Sequence, residues 1–218
     1  MDPREDEKRA AAEAAALEVQ DGMTLGLGTG STVAHFLPAL VRRKVDVVCV
    51  ATSAATEDMA RTLGLPLQPF DLLERLDLVV DGADQVAQDL WLIKGGGGAH
   101  TREKIVARAS DRFVVIVSTD KLVERLTPPV PIEVFRFGFT ATLRQLEEVG
   151  PVQTREAQPT PDGNPIVDFL GGFDDPRALA SQLDAIPGVV AHGLFHPELV
   201  SEVIVGGADG TVERLIAR

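Results

Sequence analysis

The sequence predicts an α/β protein: a Rossmann-like, mostly parallel sheet with helices on both faces, carrying a smaller ferredoxin-like α+β domain. Three observations lead there. Short apolar runs alternate with helix-period segments from residue 23 to residue 117, the pattern of parallel strands covered by helices. Glycine, hydroxyl and charged residues gather directly after those runs, where open α/β sheets bind their ligands. Beyond Pro128, Pro129 and Pro131 the order of elements changes to β-α-β-β-α-β, the split βαβ arrangement.

Taken in order, residues 3–20 read as an alanine-rich helix with Asp2 as cap and Pro3 at the first helical position, where a missing N–H does no harm. Asp21-Gly22 turns the chain into a strand over 23–27. The loop Gly28, Thr29, Gly30, Ser31, Thr32 then opens a helix running to Arg43. A strand over 45–50, the pair Thr52-Ser53 and a helix over 56–63 ended by Gly64 come next. The apolar runs 78–80 and 90–93 are read as strands that lead to Asp81 and Lys94. A helix over 100–109 and a strand over 113–117 follow, with Lys121 in the turn beyond. The loops 28–32, 81–84, 94–98 and 118–121 are all expected at the carboxyl ends of parallel strands.

In the second part, strands are expected over 132–135, 152–157, 166–170 and 189–195, with helices over 141–149 and 176–186. Pro161-Asp162-Gly163-Asn164 supplies a turn. Residues 203–205 and a Gly-Gly-Ala-Asp-Gly turn return the tail to the first domain. The domains are therefore expected to be 1–128 with 202–218, and 129–201.

Composition narrows the function. The 218 residues are 44% hydrophobic, enough for a real core, and carry a net charge of −12 from 21 basic and 33 acidic groups. That balance argues against nucleic acid or an anionic membrane as partner. Any phosphate must then be held by local donors rather than by the field of the whole chain. No run of 18 apolar residues exists, and the mixed-charge start MDPREDEKR has no apolar segment behind it, so a cytoplasmic location is expected. Cys49, the single cysteine, excludes an internal disulfide framework and reads as a buried small hydrophobe in its apolar run. His192 and His196 have the i, i+4 spacing of a metal pair, but Gly193 and Pro197 deny them a helix, so no metal site is expected.

Chemistry concentrates between residues 81 and 104, DGADQVAQDLWLIKGGGGAHTREK. Asp81 and Asp84, Lys94, four glycines and Glu103 can together move protons between hydroxyl and carbonyl oxygens. Like charges held close would raise one carboxyl pKa and leave the other group ionised. Glycines allow backbone to approach a ligand, and Glu103 in a first helical turn is favoured as an anion by the helix dipole. Each feature alone has an ordinary structural explanation in turn and capping chemistry; their crowding is what points to a site. Upstream, GLGTGST lacks the third glycine of a dinucleotide fingerprint and the lysine of a Walker loop. It reads equally as a phosphate cradle or as a plain capped turn. Trp91 reads as packing, and Lys121 as either a surface lysine or an oxygen contact at a strand end.

DGAD at 81–84, KGGGGAHTREK at 94–104, GLGTGST at 26–32 and Asp120-Lys121 together resemble ribose-5-phosphate isomerase, type A. PIEV at 131–134, IPGVVAHGLF at 186–195 and VGGADG near the end add to the likeness. The resemblance implies interconversion of ribose 5-phosphate and ribulose 5-phosphate through a cis-enediolate, without metal or organic cofactor. It makes Glu103 the base between C2 and C1, and gives Asp81 and Asp84 proton exchange with sugar hydroxyls. Lys94 with the amides of Gly95, Gly96, Gly97 and Gly98 would face the enediolate oxygens. Gly28, Thr29, Gly30, Ser31, Thr32, Gly82, Ala83 and Lys121 would line the substrate, a pentose 5-phosphate. A homodimer or homotetramer is also implied. Gln85 departs from the family, which often carries Glu there, and is expected to matter little. The rivals are a sugar-phosphate sensor and an amino-sugar-phosphate deaminase or lactonase of similar topology.

Overall fold

The computed structural model describes residues 3–156 and 159–216. The chain opens with α1 (Pro3–Ala16), β1 (Thr24–Leu27), α2 (Ser31–Arg43), β2 (Val48–Ala51), α3 (Ala54–Thr62) and β3 (Leu76–Asp81). It continues through β4 (Gln85–Ala87), β5 (Leu92–Ile93), α4 (His100–Arg108), β6 (Ser110–Ser118) and β7 (Leu122–Val123). Then come β8 (Val130–Val134), α5 (Phe139–Val149), β9 (Val152–Thr154), β10 (Ile166–Phe169), α6 (Pro176–Asp184), β11 (Val189–His192) and β12 (Leu194–Phe195). The last two strands are β13 (Glu202–Gly206) and β14 (Val212–Ile216). Asp2, named above as a cap, and Ala157, expected to end a strand, lie outside the described residues.

Two compact units emerge: Met1–Ala83 with Arg102–Leu122 and Pro197–Arg218, and Asp84–Thr101 with Val123–His196. Residues 84–101, which the sequence reading keeps with the α/β domain, group with the second unit.

The first unit is built on a six-stranded sheet ordered β14-β13-β6-β3-β1-β2. All neighbours are parallel except the edge pair β13–β14. The parallel strands follow the doubly wound order 2-1-3-4-5, so the direction of winding reverses between β1 and β3. A crevice opens outside the carboxyl ends of the strands at such a point. Alanines 11, 12, 15 and 16 of α1, with Val33, Phe36, Leu37 and Leu40 of α2, join one core with Leu25, Leu27, Leu78, Val80, Val114 and Ile116. Val79 and Val115, on the alternate positions of β3 and β6, are equally buried, as strands buried on both faces require. Cys49 sits wholly inside this core, and burial pushes its thiol up to about 12.

The second unit holds a four-stranded antiparallel sheet, β11-β8-β10-β9. With α5 after β8 and α6 after β10, that is the ferredoxin-like order. Asp175 caps α6, accepting from the N–H groups of Arg177 (2.9 Å) and Ala178 (3.1 Å) ahead of Pro176 at the helix start, the N-cap and first-turn proline pairing. Leu146, Leu179 and Leu183 from the helices meet Val130, Ile132, Val134, Val167 and Phe169 from the sheet.

Two strand assignments need correction. The run 90–93 is not a strand of the parallel sheet. Only Leu92–Ile93 is extended, and it pairs antiparallel with β4 and with β12 in a separate small sheet. The stretch between β3 and β5 contains no helix, and a parallel return needs a crossover of a dozen or more residues, usually helical. A turn with Leu90 at φ 64° folds the chain back instead. The expected strand 189–195 is likewise two strands in two sheets. Gly193 divides them, donating its N–H to Pro131 O (2.7 Å) and accepting from Lys94 N–H (2.9 Å). Other boundaries shift by a few residues, as element ends do. Among the described residues no helix is long and apolar enough to cross a membrane.

Candidate active site

In the first unit the site is assembled where β1 and β3 end. Gly28 donates its N–H to Val80 O (2.9 Å), which fastens the start of the 28–32 loop to the end of β3. Asp81, fully buried, closes that strand. Its Oδ1 accepts from the N–H of Thr29 (3.0 Å) and from its neighbour Gly82 (2.7 Å). A Cβ on Gly28 would lie 2.0 Å from the Asp81 carboxyl carbon. Glycine is therefore what lets a buried carboxylate sit against this loop.

Gly30 is the N-cap of α2 and provides no side-chain acceptor for the first helical N–H groups. Those amides, with the exposed Ser31 and half-buried Thr32 in the first turn, form the donor array that suits an anion. A cluster of hydroxyls that sequence reasoning missed stands beside it. Thr29 Oγ1 donates to Ser53 Oγ (2.8 Å) and lies 3.0 Å from Thr52 Oγ1. Thr56 Oγ1 donates to Gly28 O (2.8 Å). The only signal in the sequence is Thr52-Ser53 following an apolar run. Seeing the cluster requires knowing that β2 lies beside β1, with Ala51 level with Leu27.

Lys121 lies in the short turn after β6, half-buried, with Nζ 3.8 Å from Asp120 Oδ2. That turn is tied to α1: Thr119 gives its N–H and its hydroxyl to Glu7 Oε2, each at 2.8 Å. Glu103 is in the first turn of α4 and is buried.

In the second unit, Asp84 is exposed at the head of the β4–β5 hairpin. Its N–H goes to Ile93 O (2.8 Å), and its Oδ2 accepts from Gly96 N–H (2.8 Å). Lys94 follows β5 and is buried, its Nζ 5.5 Å from the centre of the Phe195 ring, within cation–π range. Lys94 and the glycines after it thus leave a hairpin, not a parallel strand, contrary to the sequence expectation. Gly95 adopts φ 104°, and a Cβ there would meet His100 Nδ1 at 2.7 Å. His100 and Thr101 begin α4, and the Thr101 hydroxyl donates to Glu133 Oε2. Glu133 is buried and also accepts from Thr160 (2.9 Å) and Asn164 (2.8 Å). This polar anchor at the start of the Glu103 helix was not legible in the sequence, because PIEV presents Glu133 as an outward-facing strand residue.

The two aspartates, three residues apart along the chain, occupy opposite environments: Asp81 is buried and Asp84 exposed. Gln85 has a definite task. Its amide donates to Thr127 O (2.8 Å) and accepts from Thr127 N–H (2.9 Å), and a carboxylate could only accept. Trp91 packs edge-on against His196, with ring centres 4.7 Å apart. His192 Nδ1 accepts from Leu194 N–H (3.2 Å), and its Nε2 lies 3.2 Å from Asp184.

Comparison with known proteins agrees with this architecture. The family described as Ribose 5-phosphate isomerase A (phosphoriboisomerase A) matches residues 48–210. The ribose-5-phosphate isomerase A of Rhodopseudomonas palustris (strain HaA2) is 48% identical over 230 residues, covering 97% of this chain and 99% of that one. The crystal structure of ribose 5-phosphate isomerase A from Neisseria gonorrhoeae superposes with a TM-score of 0.91 at 34% identity, over 97% of this chain and 96% of that one. A D-ribose-5-phosphate isomerase in complex with phospho-erythronic acid gives 0.90 at 36% identity, over 98% and 99%.

Proposed function

The chain belongs to the ribose 5-phosphate isomerase A family, and from that premise we propose how its residues interconvert D-ribose 5-phosphate and D-ribulose 5-phosphate. The reaction is an internal redox exchange. A proton leaves C2 of the open-chain aldose, the electron pair becomes a C1–C2 enediolate, and a proton is returned to C1. Protons shift between O1 and O2 as the carbonyl moves.

Glu103 is the base that carries the proton between C2 and C1. Its place in the first turn of α4 supports that role, since the helix dipole favours the ionised form from which a base must start. Asp81 and Asp84 exchange protons with the sugar hydroxyls and assist ring opening. Lys94 and the N–H groups of Gly95 to Gly98 stabilise charge on the enediolate oxygens. The 28–32 loop with its uncapped α2 amides, together with Lys121, holds the phosphate end. Gly82 and Ala83 lie along the sugar.

The observation that carries this reading is the buried Asp81 carboxylate, pinned to the 28–32 loop at the reversal point of the sheet. Acid–base groups contribute ~10²–10⁴-fold, and one ammonium ~4 Å from an oxyanion about 4 kcal/mol at an effective dielectric near 20. Neither alone reaches the ~10⁶-fold typical of enzymes, so the phosphate grip supplies the remainder through positioning.

The reaction proceeds without metal or organic cofactor, in the cytoplasm, in a homodimer or homotetramer. Phe135 and Phe137, exposed beside β8, are the kind of surface a second copy would cover. Coupled detection of ketose from ribose 5-phosphate tests the activity, and absence of product would exclude it. Glu103→Gln should retain substrate binding and lose turnover almost entirely; near-normal turnover would remove Glu103 from the base role. EDTA should leave the rate unchanged.

A further inference from the structure

Arg155, immediately after β9, lies 60 residues beyond Gly95 in sequence and touches the glycine loop in space. Its Nε and Nη2 grip the two oxygens of Asp168 on β10, with Nε–Oδ2 at 2.9 Å. Its Nη1 donates to Gly95 O (3.0 Å) and Gly96 O (3.2 Å). Both side chains of the ion pair are 19% exposed, so this is not a solvated surface pair.

The geometry has a direct consequence. A trans peptide points its N–H away from its own carbonyl. Fixing the carbonyls of Gly95 and Gly96 on the Arg155 side turns the N–H groups of Gly96 and Gly97 to the other side. The first of these is the N–H that Asp84 Oδ2 accepts at 2.8 Å. A guanidinium, a peptide and a carboxylate thus form one line within the second unit, and a cation on the carbonyl strengthens the donor at the far end of the same peptide.

Resting on the roles proposed above for Asp84 and the loop, we infer that Arg155, held by Asp168, is a positioning residue for the isomerisation. It sets the donor face of the glycine loop and, through the 95–96 peptide, orients the Asp84 carboxylate. Lysine cannot replace it, because one ammonium cannot fork to a carboxylate and two carbonyls at once.

The test measures kcat and KM for wild type, Arg155→Ala, Arg155→Lys, Asp168→Asn, Asp84→Asn and Arg155→Ala/Asp84→Asn, each first shown to be folded by circular dichroism. Arg155→Ala should lose about 10- to 100-fold in kcat, the scale of a misplaced catalytic group, with KM nearly unchanged. Added guanidinium chloride at non-denaturing concentration should restore part of the loss, whereas Arg155→Lys should stay impaired. The double variant should be little worse than Asp84→Asn alone, since residues acting in one line do not add. Wild-type kcat in Arg155→Ala, additive losses in the double variant, or a loss that guanidinium leaves untouched would each overturn the inference. If Arg155→Ala does not fold, Arg155→Lys and Asp168→Asn carry the same comparison. An active Asp84→Asn enzyme would instead overturn the role of Asp84, and a wild type that forms no ketose would overturn the isomerase reading itself.

Discussion

The two glycine-rich loops share an opening glycine and little else. In the 28–32 loop the first glycine is required by a neighbour: the Asp81 carboxylate occupies the space a Cβ would take. The loop continues a central parallel strand and is held by the strand beside it, through the Val80 carbonyl on Gly28 N–H and the Asp81 carboxylate on Thr29 N–H. In the 95–98 loop the first glycine is required by its own backbone, at φ 104°. That loop leaves a two-residue strand of a small sheet and depends on side chains for support: Arg155 on its carbonyls and Asp84 on an amide. One loop is shaped by the neighbouring strand of the sheet it extends, the other by an arginine that follows a strand of a different sheet. Glycine content alone tells neither story.

Substitutions can separate the two. Gly28→Ala should have the largest effect. The added methyl must displace a buried carboxylate, at about 1–3 kcal/mol for overpacking and roughly 10²-fold in kcat/KM if Asp81 moves. Urea unfolding and steady-state kinetics read both, and a Gly28→Ala enzyme with wild-type kinetics would remove Asp81 from the chemistry. Gly95→Ala should destabilise by roughly 1–3 kcal/mol through backbone strain, with a smaller loss of activity because His100, rather than a reacting group, meets the methyl. Equal kinetic losses in the two variants would erase the distinction drawn between the loops.

The smallest effect belongs at the opposite end of the sheet. Asp77 Oδ2 accepts from the N–H and hydroxyl of Thr24 (2.7 and 2.8 Å). These bonds hold its carboxyl below the ordinary value of 3.8. The stability they contribute is fully present above that value and is lost as pH falls through the lower folded-state pKa. Wild type should therefore exceed Asp77→Asn in urea midpoint at pH 7, and the gap should narrow below pH 3.8, while kcat stays within about two-fold, as for a residue remote from the chemistry. A gap independent of pH would assign the effect to packing instead.

Much of this was legible in advance. Strands β1, β3 and β6 show in the sequence because parallel strands buried on both faces need continuous apolar runs. Asp81 and the 28–32 loop could be placed at strand ends because they directly follow such runs. The antiparallel hairpin that delivers Lys94 could not be told from a parallel strand, since a short apolar run looks the same in either setting. Arg155 lies inside the strand expected over 152–157, where nothing in the sequence singles it out.

By itself, then, the sequence determined the helices and the main strands of the parallel and ferredoxin-like sheets, and which residue types crowd into 81–104. Those properties depend on local periodicity and on side chains close along the chain. Tertiary structure alone decided that winding reverses between β1 and β3, that Thr52, Ser53 and Thr56 gather around Thr29, and that Arg155, paired with Asp168, grips the loop before α4. Each of these depends on strand order and register, and hydrogen bonds between segments tens of residues apart leave no periodic trace in the chain.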